Sequence, residues 1–255
     1  MSVPVASMLG LLDKFDPITL QQMDGVKLLD RVDTKFMFHD SHLSFLLERM
    51  MPHYYLLEIA GQRYSRYETL YFDTKQFDLY LQHHNGRLNR FKFRARRYVD
   101  SDLHFFEVKY KSNKGRTVKE RIKRPLTVER LEEKSAELVR SASPVDPDSL
   151  MPRIWVDYVR FTFVSKHGQE RLTIDTSLGF REAGRAVAYP GLVIAEVKQG
   201  SSAERSPFLS LMRERRIQEN SISKYCLGVI TLHPEVKRNR FKPTLHYIQK
   251  LLKAS

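Results

Sequence analysis

The sequence predicts an α+β fold in which an antiparallel sheet of about eight strands closes into a barrel or tunnel with a charged interior, surrounded by helices. Three observations favour this fold class. Most predicted strands are long, with alternating polar and apolar residues, and short turns join them. Several strands carry charges on one face, and the predicted helices have apolar stripes that could cover the other face. An open sheet with its polar face in water is the alternative, while a doubly wound parallel sheet is disfavoured.

The composition is typical of a soluble globular chain. Of the 255 residues, 42% are hydrophobic and 29% are charged, which is enough to bury one large core or two modest ones. The stretch SPVDPDSLMP at 143–152 is the only segment that resembles a linker, and it is short. We therefore predict a single domain over residues 1–255, and a boundary at this stretch is the weaker alternative.

The charge balance limits the partners. Lys plus Arg is 43 against 30 Asp plus Glu, which gives +13 and predicts a polyanionic partner: nucleic acid, an acidic membrane surface or a phosphate-rich small molecule. The single Cys226 excludes an intramolecular disulfide and is expected to be a buried thiol in a reducing compartment. Neither a basic leader nor about 18 consecutive apolar residues is present, so we predict a cytoplasmic protein without a membrane span.

The first half predicts six strands and three helices after a helical lead-in at 1–28. The strands are RVDTKFMF (31–38), YYLLEI (54–59), QRYSRYETLYF (62–72), NRFKFRARRY (89–98), LHFFEVKYK (103–111) and RTVKERIKR (116–124), of which the second and third form a hairpin around Ala60 and Gly61. The helices are 40–51, capped by Asp40 or Ser41 and ended by Pro52; 75–84, ended by Asn85 and Gly86; and 127–141, capped by Thr127.

The second half predicts three strands followed by helices. The strands are PRIWVDYVRFTFV (152–164), ERLTIDTSLGF (170–180) and AYPGLVIAEVKQG (188–200). The helices are 206–216, 221–232 and a basic amphipathic helix within 237–255. We expect this last helix to dock with a wet face, and peripheral contact with acidic lipid is a further possibility.

Alternate cations in NRFKFRARRY would stand in one row on a strand face. Neighbours in that row are roughly 7 Å apart, so each pair repels by about 2.4 kcal/mol at an effective dielectric near 20. A solvated surface or a bound anion is needed to tolerate such a row. Charged or polar residues also alternate in six other segments: Arg31, Asp33 and Lys35; Glu107 and Lys109; Lys119, Arg121 and Lys123; Tyr158, Arg160 and Thr162; Arg171, Thr173 and Asp175; Glu196 and Lys198.

A bore lined by these residues would suit phosphate. Arginine binds phosphate oxygens by bidentate contacts and lysine binds them as a point charge. Glu196, with Glu107 as a second candidate, could hold Mg²⁺ or Mn²⁺ against the phosphates. A nucleic-acid-binding module would also explain the net charge, although exposed base-reading aromatics and a recognition helix are not evident.

The order of these motifs resembles the VTC domain, the polyphosphate polymerase domain of the vacuolar transporter chaperone complex, which has stand-alone bacterial relatives. That family belongs to the triphosphate tunnel metalloenzymes. The resemblance covers about residues 28 to 232 and rests on TKF (34–36), LYFDT (70–74), the LY..H..G to R.K.R.R.Y run (79–98), FEVK (106–109), Y.R (158–160), R.T.DT (171–176), AEVK (195–198) and SKY..G (223–228).

The resemblance implies a tunnel enzyme that makes polyphosphate from ATP with Mn²⁺ or Mg²⁺ as cofactor, and a triphosphatase with the same residues is the alternative. ATP or another triphosphate, and polyphosphate, would be its partners, without specific nucleic-acid binding. The resemblance assigns catalytic phosphate contacts to Lys35, Arg94, Arg96, Lys109, Arg160 and Lys224, hydrogen bonds to the substrate to Tyr158 and Ser223, and metal binding to Glu196, and Lys92 fits the bacterial form of the motif as a further substrate contact. The alternation on the strand faces adds Arg31 and Lys198 as predicted substrate contacts and Glu107 as a predicted second metal ligand. Two positions depart from the family pattern, because His83 stands in place of an arginine and Ser221 in place of a lysine.

Overall fold

The computed structural model describes residues 5–24, 31–114, 116–125, 130–200, 206–220 and 223–253. Within these ranges it contains eight α-helices: α1 (Val5–Leu12), α2 (Leu20–Asp24), α3 (Leu43–Met50), α4 (Asp78–His84), α5 (Glu133–Ala142), α6 (Pro207–Glu214), α7 (Lys224–Leu232) and α8 (Lys242–Lys253). The same ranges contain eleven strands: β1 (Pro17–Ile18), β2 (Arg31–His39), β3 (Tyr54–Leu57), β4 (Ser65–Asp73), β5 (Arg90–Tyr98), β6 (Leu103–Lys111), β7 (Thr117–Lys123), β8 (Met151–Ser165), β9 (Glu170–Glu182), β10 (Arg185–Tyr189) and β11 (Leu192–Gly200).

All the strands belong to one sheet. Its main path has the order β2-β11-β9-β8-β4-β5-β6-β7, and every neighbouring pair on this path is antiparallel. Strand β10 adds to β9, and β3 pairs with β8 and, in parallel, with β1. The predicted α+β class with an antiparallel eight-stranded path is confirmed. Among the described residues β2 and β7 do not pair with each other, so hydrogen bonds do not close the sheet.

Helices cover the apolar face of the sheet, as the alternation predicts. Phe36, Phe161 and Val197 on this face pack against side chains of α1, α3 and α6 in one core cluster. Further along the sheet, Phe93 and Val108 pack near Val139 of α5 in a second cluster. Burial of this apolar area supplies the main favourable free energy of folding, and it orients the opposite face of each strand away from α1, α3, α5 and α6.

Helix α7 covers one end of the other face. Met37, Val156 and Ile194, which share strand faces with Lys35, Tyr158 and Glu196, form a third core cluster with buried residues of α7. Cys226 lies fully buried in this helix, as predicted. Helix α8 contributes its buried Ile248 to the same cluster, while Lys242, Lys250 and Lys253 remain exposed. The terminal helix is therefore docked with a wet face.

Several element boundaries differ from the prediction. The single strand expected over 188–200 is divided into β10 and β11, because the chain turns at Pro190 and Gly191, where Gly191 has φ 82°. The predicted hairpin around Ala60 and Gly61 is limited to one bridge between Ile59 and Gln62, since β3 and β4 both pair with β8. The lead-in is not wholly helical, because it includes β1.

Several predicted helices begin later than expected, among them α4 at Asp78 and α7 at Lys224. The segment 40–51 starts with a 3-10 turn, Asp40–His42, and its cap is His39, whose Nδ1 accepts from the Ser41 N–H at 3.2 Å. Helix α5 begins at Glu133 after an extended Glu132 that makes no side-chain cap, and the predicted cap Thr127 lies outside the described residues. No helix in the described ranges has the length and apolar character needed to cross a membrane.

Candidate functional site

One face of the sheet, which we call the basic face, carries the predicted cations. Directly opposed residues of neighbouring antiparallel strands project to the same side of a sheet. The opposed pairs that define the basic face are Lys35–Glu196, Lys198–Arg171, Glu196–Thr173, Arg160–Asp175, Tyr67–Tyr158, Thr69–Arg96, Tyr71–Arg94, Arg94–Glu107, Lys92–Lys109 and Lys109–Lys119. These pairs include residues from all eight strands of the main path.

Charges on strands that are far apart in the sheet order lie close enough to act on one another across the basic face. Burial, followed by the charges of Arg94 and Lys92, lowers the pKa of Lys109 on β6 to about 7. Lys35 and Glu196 also act on this pKa, although four strands separate β11 from β6 in the sheet order. Strands β11 and β6 therefore contribute to opposite walls of one channel, which we call the bore.

The first turn of α7 bridges the two sides of this bore. Lys92 on β5 donates from Nζ to the Ser223 hydroxyl at 2.9 Å. The next residue, Lys224, makes an ion pair with Asp175 on β9 at 2.5 Å. Ser223 is also the N-cap of the helix and accepts from the Cys226 N–H. A short polar segment thus joins strands that are not neighbours in the sheet.

Asp175 is the central carboxylate of this region. Arg160 donates to it from Nε at 2.6 Å and from Nη2 at 2.7 Å. Burial would raise the pKa of Asp175, but the charges of Arg160 and Lys224 outweigh it and hold the pKa below its usual value. The alternation of Asp175 with Arg171 and Thr173 predicted its place on the charged strand face, but no role was predicted for it.

Glu107 is fully enclosed and holds cations of two neighbouring strands. Arg94 Nε donates to Oε2 at 2.6 Å and Lys119 Nζ donates to Oε1 at 3.2 Å, while Arg96 Nη1 lies 3.9 Å from Oε2. Burial would raise the pKa of Glu107, but these three cations lower it to about 2. Both oxygens of the predicted second metal ligand are thus occupied by cations in this structure.

Glu196 is the partly exposed carboxylate of the bore. Its side chain is 19% exposed and makes ion pairs with Lys35, at 3.2 Å, and with Lys198. Burial would raise its pKa, but Lys198 and then Lys35 hold the pKa well below the usual value. This carboxylate is therefore ionised at neutral pH.

The carboxylates of the bore fit a metal ion that takes most of its ligands from substrate phosphates and water. The described residues contain no group of three or more His, Cys, Asp or Glu side chains arranged to hold a metal ion. Mg²⁺ commonly binds one or two carboxylates together with substrate phosphates and waters, so the single carboxylate of Glu196 satisfies that requirement. An all-protein metal cage is not formed by the described side chains.

Aromatic rings line the same bore. Tyr67 stacks on Tyr158 with centroids 5.0 Å apart, and the Arg160 guanidinium carbon lies 5.3 Å from both ring centroids. The Tyr71 hydroxyl accepts from Arg94 Nη1 at 3.2 Å. Rings beside guanidinium groups restrict their rotamers and add cation–π attraction, so these arginines are held in place before any ligand binds.

The structure brings together eleven of the predicted residues with described side chains on or beside the basic face. They are Lys35, Lys92, Arg94, Arg96, Glu107, Lys109, Tyr158, Arg160, Glu196, Lys198 and Lys224, and Ser223 adjoins them. The side chains of Arg94, Arg160 and Lys224 are only 16, 19 and 15% exposed. They are not splayed into bulk solvent.

Arg31, Ser221 and His83 stand apart from these residues. The backbone of Arg31 opposes Gly200 at the end of β2, but its side chain lies outside the described residues, as does Ser221. Burial, followed by the charges of Lys92 and Arg90, lowers the pKa of His83 to about 3. A neutral imidazole therefore stands at neutral pH where the family pattern has an arginine.

Comparison with known proteins gives one family. A family model described as VTC domain matches residues 30–233. No curated protein matches the chain. One similar solved structure is a candidate adenylate cyclase from Vibrio parahaemolyticus, with a TM-score of 0.48 and 11% identity, covering 78% of this chain and 99% of that chain. A second is a candidate adenylyl cyclase from Hippeastrum, described as having a dominant triphosphatase activity, with a TM-score of 0.48 and 12% identity, covering 78% of this chain and 94% of that chain. A third is a conserved hypothetical protein from Pyrococcus furiosus, with a TM-score of 0.40 and 10% identity, covering 76% of this chain and 96% of that chain.

Proposed function

Because the chain belongs to the VTC domain family, we propose that its bore binds the phosphates of ATP or polyphosphate and transfers phosphoryl groups to make polyphosphate. The observation that carries the proposal is the convergence of cations from separate strands on one face, where the first turn of α7 is held by Lys92 of β5 and Asp175 of β9. The cations on this face repel one another, and a bound polyphosphate anion would offset that repulsion.

The reaction requires little covalent chemistry from the protein. Phosphoryl transfer passes through a loose transition state whose charge lies on peripheral oxygens, so positioning and electrostatic stabilisation supply most of the catalysis. In the proposed complex Arg94, Arg96 and Arg160 bind the phosphate oxygens by their guanidinium groups, since arginine presents paired donors. Lys35 and Lys224 exchange their carboxylate partners for phosphate oxygens as the substrate enters.

Glu196 would hold the divalent metal. A bound Mg²⁺ or Mn²⁺ would neutralise charge on the phosphates and polarise the transferred group. The carboxylate is ionised before the substrate enters, because Lys198 and Lys35 keep its pKa low. The acceptor is the end of a phosphate chain in the polymerase reaction and water in the triphosphatase reaction. The bore residues serve both reactions, and only the products separate them.

The decisive experiment is incubation of the purified protein with ATP and Mn²⁺, followed by separation of the products by size. We expect long polyphosphate and ADP, and release of only short phosphates would identify a triphosphatase instead. The variant Glu196→Gln should lose the metal-dependent activity, whereas Glu120→Gln, an exposed carboxylate on β7, should retain it. Activity of Glu196→Gln equal to that of the unchanged protein would overturn the metal assignment.

A binding experiment separates this function from nucleic-acid binding. Tripolyphosphate and a single-stranded oligonucleotide are titrated into the protein across a salt series, with and without Mn²⁺. We expect tight, metal-assisted tripolyphosphate binding with a modest salt dependence. Binding of the oligonucleotide alone, with a steep fall in affinity as salt increases, would indicate phosphate-backbone recognition of nucleic acid and contradict the proposal.

A further inference from the structure

The LYFDT motif contains a buried carboxylate that the proposed chemistry does not use. Asp73, the last residue of β4, is 0% exposed. Its Oδ1 accepts from the N–H groups of Thr74, at 2.7 Å, and Leu79, at 2.9 Å. Its Oδ2 accepts from the Tyr80 N–H at 2.9 Å and from the Tyr225 hydroxyl at 2.5 Å. All the strong acceptor directions of this carboxylate are thus used within the protein.

Three of these hydrogen bonds have an evident local role. The first N–H groups of a helix have no partner within it, and the N-cap of α4, Phe77, makes no side-chain cap. Asp73 replaces that cap by accepting from Leu79 and Tyr80 in the first turn of α4. The fourth hydrogen bond is different, because it leaves α4 and reaches Tyr225 in α7, 152 residues further along the chain.

Tyr225 connects this carboxylate to the bore. Its ring stacks on Tyr71 with centroids 4.9 Å apart and an interplanar angle of 24°, and the Tyr71 hydroxyl accepts from Arg94. Tyr225 follows directly after Lys224 in the first turn of α7. Fixing the hydroxyl of Tyr225 therefore limits sliding and rotation of the turn that presents Ser223 and Lys224.

We propose that Asp73 is a positioning residue that, through the Tyr225 hydroxyl, sets the place of the α7 N-terminus, so that Ser223 and Lys224 meet the bound phosphates. The inference rests on the proposed function of the bore for its ligand. Burial raises the pKa of Asp73, and the hydrogen bonds from Tyr225, Leu79 and Tyr80 oppose that rise. A hydrogen bond to a buried carboxylate is stronger and more directional than one between neutral groups, which suits the role of an anchor.

Two matched tyrosine substitutions test the anchor. Tyr225→Phe removes the hydroxyl while keeping the ring on Tyr71. Tyr80→Phe removes another buried tyrosine hydroxyl, which donates to the Lys237 carbonyl at 2.6 Å and does not contact α7 through that bond. Each variant loses one buried hydrogen bond, so both should unfold at a lower temperature, and the loss should be larger for Tyr225→Phe because its hydroxyl donates to a carboxylate. Only Tyr225→Phe should weaken tripolyphosphate binding and turnover, by about 3- to 30-fold, with Tyr80→Phe within about twofold of the unchanged protein.

A double-mutant cycle with Lys224→Met distinguishes positioning from a general loss of stability. If Tyr225 acts through Lys224, adding Tyr225→Phe to Lys224→Met should cost less than about twofold beyond the single change. Full additivity of the two losses would overturn the proposal, as would equal binding by the Tyr225→Phe and Tyr80→Phe variants. The conservative substitution is a further test: among variants that remain folded, Asp73→Glu should retain more tripolyphosphate binding than Asp73→Ala.

Amide hydrogen exchange makes the inference independent of the ligand. In the ligand-free protein, Tyr225→Phe should accelerate exchange in the peptide that covers the first turn of α7, whereas Tyr80→Phe should not. Unchanged exchange in that peptide would refute the anchor even if turnover falls. If the unchanged protein binds neither ATP nor tripolyphosphate, the proposed function fails, and the exchange comparison still decides whether Asp73 positions α7.

Discussion

Replacement of Glu107 by Gln tests whether the basic face depends on its internal carboxylates. The pKa of this buried group falls from an ordinary 4.5 to about 2 in the folded protein. A tenfold change in an equilibrium constant is about 1.4 kcal/mol, so the ionised carboxylate contributes about 3 kcal/mol to the free energy of unfolding at neutral pH. Glu107→Gln should lose about this amount, because Arg94 and Lys119 then lack their counter-charge.

The pH dependence of the loss follows from the direction of the pKa shift. A carboxyl group whose folded pKa lies below its unfolded pKa stabilises the fold above about pH 4.5, and this contribution disappears as the pH falls to about 2. The difference in unfolding free energy between the unchanged protein and Glu107→Gln should therefore be full at pH 7 and shrink below about pH 4.5. Other carboxyl groups titrate in both proteins and largely cancel in that difference.

Urea unfolding at several pH values measures this difference. Glu120→Gln is the matched control, because Glu120 lies on the neighbouring strand β7 and is exposed. Tripolyphosphate should raise the unfolding midpoint of Glu107→Gln more than that of the unchanged protein, since the freed cations gain an anionic partner. Equal midpoints for the two glutamine variants at pH 7, or a difference that does not depend on pH, would refute this reasoning.

Three further predictions concern the bore and the core. Tripolyphosphate affinity should fall by up to about tenfold per pH unit above about pH 7, because the pKa of Lys109 is about 7 and binding favours its charged form; calorimetry on Lys109→Arg, which stays charged, should show a flatter profile. Asp175→Asn should lower the urea midpoint by the equivalent of about 3–5 kcal/mol, since two buried cations lose their partner. Gly228→Ala should cost about 1–3 kcal/mol in thermal unfolding, because a Cβ would lie 2.8 Å from both Ile154 and Phe180.

The sequence alone predicts which residues share a face of each strand. A strand alternates its side chains with a period of two, so the shared face of Lys92, Arg94 and Arg96 on β5, and that of Glu107 and Lys109 on β6, follow from spacing alone. The bounds of β5 and β6 agree with the predicted segments to within a residue at each end. The same local rule explains why the apolar residues of these strands lie under α5.

The contacts between distant segments could not be read from local patterns. Asp175 and Lys224 are separated by 49 residues, and only the packing of α7 against β8 and β9 brings them together. The anchor of Asp73 on Tyr225 depends on the same packing. Pro190 and Gly191 did mark a break in the chain, but the apolar run after them extended the predicted strand across the turn.

The charges of the bore indicate a site for an exchangeable anion, and not a face whose charges have only a structural role. Each of Glu107, Asp175 and Glu196 is shared by at least two cations, whereas the Lys109 ammonium group makes no ion pair or hydrogen bond with the described residues. A structural face that had only to satisfy its charges would reach balance by adding carboxylates or by exposing its cations to water. Here the cations are ordered by shared carboxylates and rings while an excess of positive charge remains. A phosphate chain can therefore bind without first ordering these side chains, so less of its binding free energy is spent on their conformational entropy.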